Sequence, residues 1–123
     1  MRYKFRAWDS VKKNMMFAGE FPVYYEEDNG FHSGWSGANG DWDSHEIMMW
    51  TGLHDKNGTE IYEGDIVNSY LWKECGNGNI EWKDEAGCFA IQWDAGGWWG
   101  LLQISDMNVI GNIYQHPELI NRR

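Results

Sequence analysis

Residues 51–67, TGLHDKNGTEIYEGDIV, constrain this chain more than any other stretch. Asp55, Asn57 and Gly58 carry the chemistry of a turn. Asp and Asn bond their own backbone and tolerate unusual dihedrals, and Gly takes positive φ at no steric cost. An Asn-Gly pair between apolar flanks is the strongest short hairpin signal. The flanks here are Met48, Met49 and Trp50 on one side and Ile61 and Tyr62 on the other. A second turn follows at Glu63 and Gly64, and Asp65, Ile66 and Val67 open a new strand. Each of these residues has a folding reason, so the stretch reads as a folding signature despite its density of acids.

The rest of the chain alternates between short strands and turns. In residues 2–8, Tyr3, Phe5 and Ala7 fall on one side and Arg2, Lys4 and Arg6 on the other, the period of a half-buried strand. A polar turn at 9–14 and an apolar run at 15–18 complete a β-hairpin. Residues 22–25 predict a third strand, held to an edge by Pro22. Residues 26–45 are rich in Gly, Ser, Asn and Asp, and predict a long irregular loop that carries Phe31, Trp35 and Trp42. A strand at 46–50 leads into the central stretch. Further strands are predicted at 65–72, 80–83, 88–93, 98–102 and 108–112, with a helical turn at 103–107. A short C-terminal helix is predicted at 116–120, with Pro117 in its first turn. About five short strands in roughly sixty residues suit a small barrel. The expected fold is therefore mainly β. A small SH3-like barrel at 51–123 is preceded by an N-terminal β-hairpin and irregular loop at 1–50, or the two pack as one compact unit.

Composition narrows the function classes. The formal charge is −9, and it is unevenly spread. Residues 1–13 hold five Lys/Arg against one acid, a net of +4. Residues 14–121 hold Lys56, Lys73 and Lys83 against eighteen acids, a net of −15. So acidic a body repels phosphate backbones, whose neutralisation by Lys and Arg dominates nucleic-acid affinity. Arg2, Lys4 and Arg6 form a candidate basic patch, read first as pairing with the acidic body or with another subunit. Cys75 and Cys88 lack the companion Cys or His pair of a zinc site and are expected as free thiols. No run of about eighteen apolar residues predicts a membrane helix. The opening MRYKFRAW lacks the marks of a signal peptide, so an intracellular protein is expected.

Catalytic patterns are missing as well. There is no G-x-x-x-x-G-K-[ST], no G-x-G-x-x-G and no G-x-S-x-G. The carboxylate pairs Glu26-Glu27 and Asp84-Glu85 fall in predicted turns, where solvated acids are the ordinary case. His32, Asp41, Asp43 and His45 have no metal-ligand spacing. Neither enzyme activity, a metal nor a cofactor is expected. The feature that invites function is the surplus of tryptophan, nine in 123 residues. Trp93, Trp98 and Trp99 bracket a Gly-rich turn, and Trp is enriched at binding hot spots. Adjacent residues of a strand face opposite sides, so Trp98 and Trp99 cannot both enter a core. Trp35, Trp42, Trp93, Trp98 and Trp99 make up the candidate interaction surface.

Three blocks, MRYKFRAW at the start, TGLHDKNGTEIYEGDIV in the middle and VIGNIYQHPEL near the end, resemble the YopX family of phage and prophage proteins. They stand in the family's order and span the chain. The resemblance implies a β-rich protein with an SH3-like barrel in its C-terminal part; with no signal peptide or membrane helix read from the sequence, the expected location is the cytoplasm of a bacterial host cell. It brings no catalytic residues. The expected function is that of a phage accessory protein acting as a non-enzymatic protein-interaction module, with self-association into a homo-oligomer expected. The alternative is a nucleic-acid role, through weak binding by the basic N-terminal strand or through DNA mimicry by the acidic body.

Overall fold

A computed structural model describes residues 4–17, 23–26, 30–33, 45–101 and 106–120. The protein is mainly β, built of curled antiparallel sheets with almost no helix. It divides into two compact units, Met1–Met49 and Trp50–Arg123.

In the first unit, β1 (Phe5–Asp9) and β2 (Asn14–Met16) form the expected hairpin. The turn between them is built by Asp9. Its Oδ1 accepts the N–H of Val11 at 2.9 Å and of Lys12 at 3.0 Å, and its carbonyl accepts Lys13 N–H at 2.8 Å. On its other side β1 pairs antiparallel with the first half of β5 (His45–His54), Arg6 opposite Met48 and Ala7 opposite Ile47. A strand paired on both edges is an interior strand. Arg6, Ala7, Trp8 and Asp9 are all buried, so the half-buried alternation expected from the sequence does not hold. Two further strands, β3 (Val23–Glu26) and β4 (Gly30–Ser33), pair as a hairpin. β4 thus occupies part of the stretch expected as irregular loop.

In the second unit the central stretch folds as its turn chemistry dictates. The second half of β5 pairs with β6 (Glu60–Tyr62) around the turn at Asp55, with a register shift between Trp50 and His54. Thr51 Oγ1 donates to the Ile61 carbonyl at 2.7 Å, which ties the two strands together behind that irregularity. The next turn closes when Asp65 Oδ2 accepts Tyr62 N–H at 2.8 Å, with Gly64 at φ 84° between them. At that φ a Cβ would be strained.

Five strands then form one sheet. They are β7 (Asp65–Ser69), β8 (Gly78–Lys83), β9 (Cys88–Trp93), β10 (Trp98–Gly100) and β11 (Met107–Asn112), in the order β10-β9-β8-β7-β11. All their pairings are antiparallel. Ile61, Val67, Ile80, Ile91, Trp93, Leu101 and Met107 form the core. Gly78 allows the sheet to close on that core. A Cβ there would stand 2.5 Å from Ile91 Cγ2 and 3.0 Å from the Gln92 carbonyl oxygen. Two expectations change toward the C-terminus. Met107 begins a strand instead of ending a helical turn, and the rest of the 103–107 reading lies outside the described residues. The C-terminal helix contracts to the 3-10 turn Pro117–Leu119, whose last carbonyl accepts Asn77 Nδ2 at 2.6 Å, and Ile120 is already extended.

Candidate interaction site

The tryptophans separate into core and surface. Trp93, expected as part of an interaction surface, is 1% exposed and belongs to the core. It ends β9 with its side chain on the inward face shared by Ile91. Trp99 packs half-buried against it, ring centroids 5.7 Å apart in an edge-to-face arrangement. Trp98, its neighbour on β10, points the other way and is exposed, with Lys83 Nζ 5.7 Å from its ring. Trp35 and Trp42 lie outside the described residues.

A third indole extends the core pair to the surface. Trp72 meets Trp99 edge to face at 5.1 Å and is itself exposed. Edge-to-face pairs are worth about 0.5–1.5 kcal/mol beyond the area they bury. Trp72 belongs to the connection between β7 and β8, which the sequence reads as the end of a strand at 65–72. The strand stops at Ser69, and residues 73–75 form a 3-10 turn. Asp106 ends it: one carboxylate oxygen accepts Ser69 Oγ at 2.5 Å and the other accepts Leu71 N–H at 3.0 Å. These hydrogen bonds hold the Asp106 carboxyl below its ordinary range, the Ser69 hydroxyl contributing most. Beyond Trp72, Cys75 N–H donates to the Trp72 carbonyl at 3.0 Å, and the Cys75 and Asn77 carbonyls accept Ala95 and Asp94 N–H. The backbone of this connection is thus held at many points. Its side chains are turned out: Tyr70 is 69% and Leu71 65% exposed.

Beside this loop is a cleft of about 320 Å³, lined by Lys56, Asn68, Ser69, Tyr70, Lys73 and Asn77. Lys73 Nζ sits 4.0 Å above the Tyr70 ring, a cation–π contact that fixes the charge at the rim. Two of the three lysines of residues 14–121 therefore meet at one cleft. Cys75, behind the loop, is half-buried. Burial, with the charge of Glu74 added, pushes its thiol up from the ordinary range. Among the described residues no group of His, Cys, Asp and Glu could hold a metal ion, and no helix is long and apolar enough to cross a membrane.

Of the expected basic patch, two residues are described. Arg6 is buried within β1, Lys4 is half-buried, and Arg2 lies outside the described residues. Sequence reading passed over Tyr70 and Leu71 because they extend an apolar strand pattern. One available signal was three bulky apolar residues in a row, Tyr70-Leu71-Trp72, followed at once by the polar KECGNGN. No strand places three successive side chains on one buried face.

Fold and surface together define a small, mainly β protein of two units, with a pinned aromatic loop on the second. The YopX protein family model matches residues 4–121, and the chain belongs to that family. The crystal structure of protein EF1440 from Enterococcus faecalis is similar at a TM-score of 0.65 and 28% identity, over 98% of this chain and 99% of that one. The crystal structure of protein yopX from Bacillus subtilis shares the fold at a TM-score of 0.62 and 18% identity, over 100% of this chain and 99% of that one. No curated protein matches the chain.

Proposed function

We propose that this protein is a non-enzymatic protein-interaction module that docks through residues 70–72. The observation that carries this reading is a loop with a fastened backbone and exposed apolar side chains. Leaving Tyr70 and Leu71 in water costs the isolated chain the burial of two large side chains, about 1.5–3 kcal/mol each. A loop that is already ordered loses little conformational entropy when a partner covers it, which is the condition for tight docking. The occupant that fits is a partner protein offering an apolar recess to Tyr70 and Leu71. The SH3-like barrel reading of residues 51–123, supported by the five short strands of the sheet, gives that loop a rigid base. We place the module among phage and prophage accessory proteins on the strength of its family. The acidic body disfavours phosphate backbones, and the burial of Arg6 removes a residue from the surface that direct nucleic-acid binding would use.

The test is crosslinking in the bacterial host. A photoreactive amino acid at position 71 is compared with one at position 85, in the exposed turn between β8 and β9. A discrete adduct from 71 that is absent from 85, and lost on adding Trp72→Ser, is the expected result. An adduct of doubled mass would identify the partner as a second copy. Equal labelling from both positions, or none from either, would overturn the proposal.

A further inference from the structure

The cleft beside the loop specifies what kind of partner the loop meets, an inference that rests on the docking role just proposed. Lys56 and Lys73 line it, and none of its lining residues is acidic, although residues 14–121 carry eighteen acids. The other lining groups are the amides of Asn68 and Asn77, the Ser69 hydroxyl, the Tyr70 ring and the Gly76 backbone, none of which carries a full negative charge. Asp106, the carboxylate beside Ser69, has one oxygen on the Ser69 hydroxyl and the other on Leu71 N–H; its charge and that of Asp55 act on Lys56 from behind the cleft lining. Glu74 follows Lys73 in the chain and does not line the cleft. Tyr70 belongs to both features: its ring lines the cleft and carries the Lys73 ammonium, and it adjoins exposed Leu71. The two features together favour a ligand that is negatively charged at one point and apolar a residue or two away.

We infer that the cleft of Lys56 and Lys73 receives a carboxylate side chain of the partner protein, from an acidic segment whose adjacent aliphatic or aromatic residue covers Leu71. Its opening at the rim of an apolar loop favours a peptide segment over a free anion, which would use the lysines and leave Leu71 uncovered. Charge complementarity of this kind sets orientation and encounter rate, and the reversal of a rim charge shows in both.

The experiment selects short random peptides on the immobilised full chain and sequences them. The strongest binder is then synthesised and titrated by fluorescence anisotropy. We expect the selected peptides to be enriched in Asp or Glu beside a large apolar residue. We expect the Lys56→Glu, Lys73→Glu double variant to weaken binding by about tenfold or more, and added salt to weaken it in the same direction. Lys56→Gln, Lys73→Gln serves as the milder variant, with thermal melts verifying that each folds. Acidic peptides whose affinity ignores both lysine variants would overturn the inference. So would displacement of the peptide by an equal concentration of inorganic phosphate. Apolar peptides without acids that fail on Leu71→Ser but ignore the lysine variants would overturn the carboxylate and keep the docking loop. If no peptide binds any form of the protein, both readings fall.

Discussion

The Asp55 carboxylate accepts the backbone N–H of Val109 at 2.9 Å, although the two residues are 54 apart in the chain. Its other oxygen accepts Asn57 N–H at 2.8 Å and Thr59 N–H at 2.9 Å. One buried side chain therefore shapes the β5–β6 turn and fastens it to β11. Beside it, Lys56 N–H donates to the Met107 carbonyl at 3.1 Å. Burial alone would raise the Asp55 pKa. The backbone donors, Val109 first, outweigh it and hold the carboxyl below its ordinary 3.8. Asp55→Ala strips three N–H groups of a charged acceptor, and we expect a loss of about 3 kcal/mol in urea unfolding.

The same group makes stability depend on pH. A carboxyl whose folded pKa is depressed adds stability that is fully present above its unfolded value and is lost as pH falls through the folded one. Asp55 and Asp106 are both held low. The urea midpoint is expected to be flat near neutrality and to fall below about pH 4. Asp55→Ala, already destabilised, should show a shallower acid limb. A limb unchanged in depth would assign the acid sensitivity to other carboxylates.

Trp93 and Trp98 stand five residues apart and should behave as opposites. Trp93 is 1% exposed at the centre of the core, so Trp93→Ala is expected to cost about 3–5 kcal/mol. Trp98 is 37% exposed on β10 and outside the core, and Trp98→Ala should cost much less, about 1 kcal/mol. Denaturant melts of the two variants decide the point.

At Gly78 the backbone approaches β9 too closely for a side chain. The nearest obstacles are a core methyl and a main-chain carbonyl, neither of which can swing aside. Gly78→Ala is expected to lower stability by about 2 kcal/mol through overpacking, seen as a lowered Tm. A neutral Gly78→Ala would mean that β8 and β9 separate more readily than their pairing implies.

Cys75 should be a sluggish thiol. Burial and the neighbouring Glu74 charge raise its pKa, so less thiolate is present at any given pH. Alkylation by iodoacetamide near neutral pH, followed by mass spectrometry, should be slower at Cys75 than for free cysteine. Glu74→Gln should speed it, since the smaller of the two causes is then gone.

Much of the fold was legible because it is local. The turns at Asp9, Asp55 and Gly64 are written in side chains that bond a backbone two to four positions away, so a short window of sequence contains the whole cause. The hairpins follow from those turns. The site was less legible. The candidate tryptophans were named for their chemistry, and nothing local distinguishes Trp93 in the core from exposed Trp98 or half-buried Trp99.

By itself the sequence determined the strand class, the turn positions and the acidic body with three lysines, because these rest on residue type and short spacing. Only the tertiary structure decided which faces are covered. Arg6 is buried because β5, some forty positions on, pairs with the open edge of β1. Lys56 and Lys73 share a cleft because β11 holds the Asp55 turn while Asp106 ends β7 and lets residues 70–77 fold back. Burial and the meeting of charges are set by pairings between distant segments, and a linear pattern carries no record of which segment closes over which.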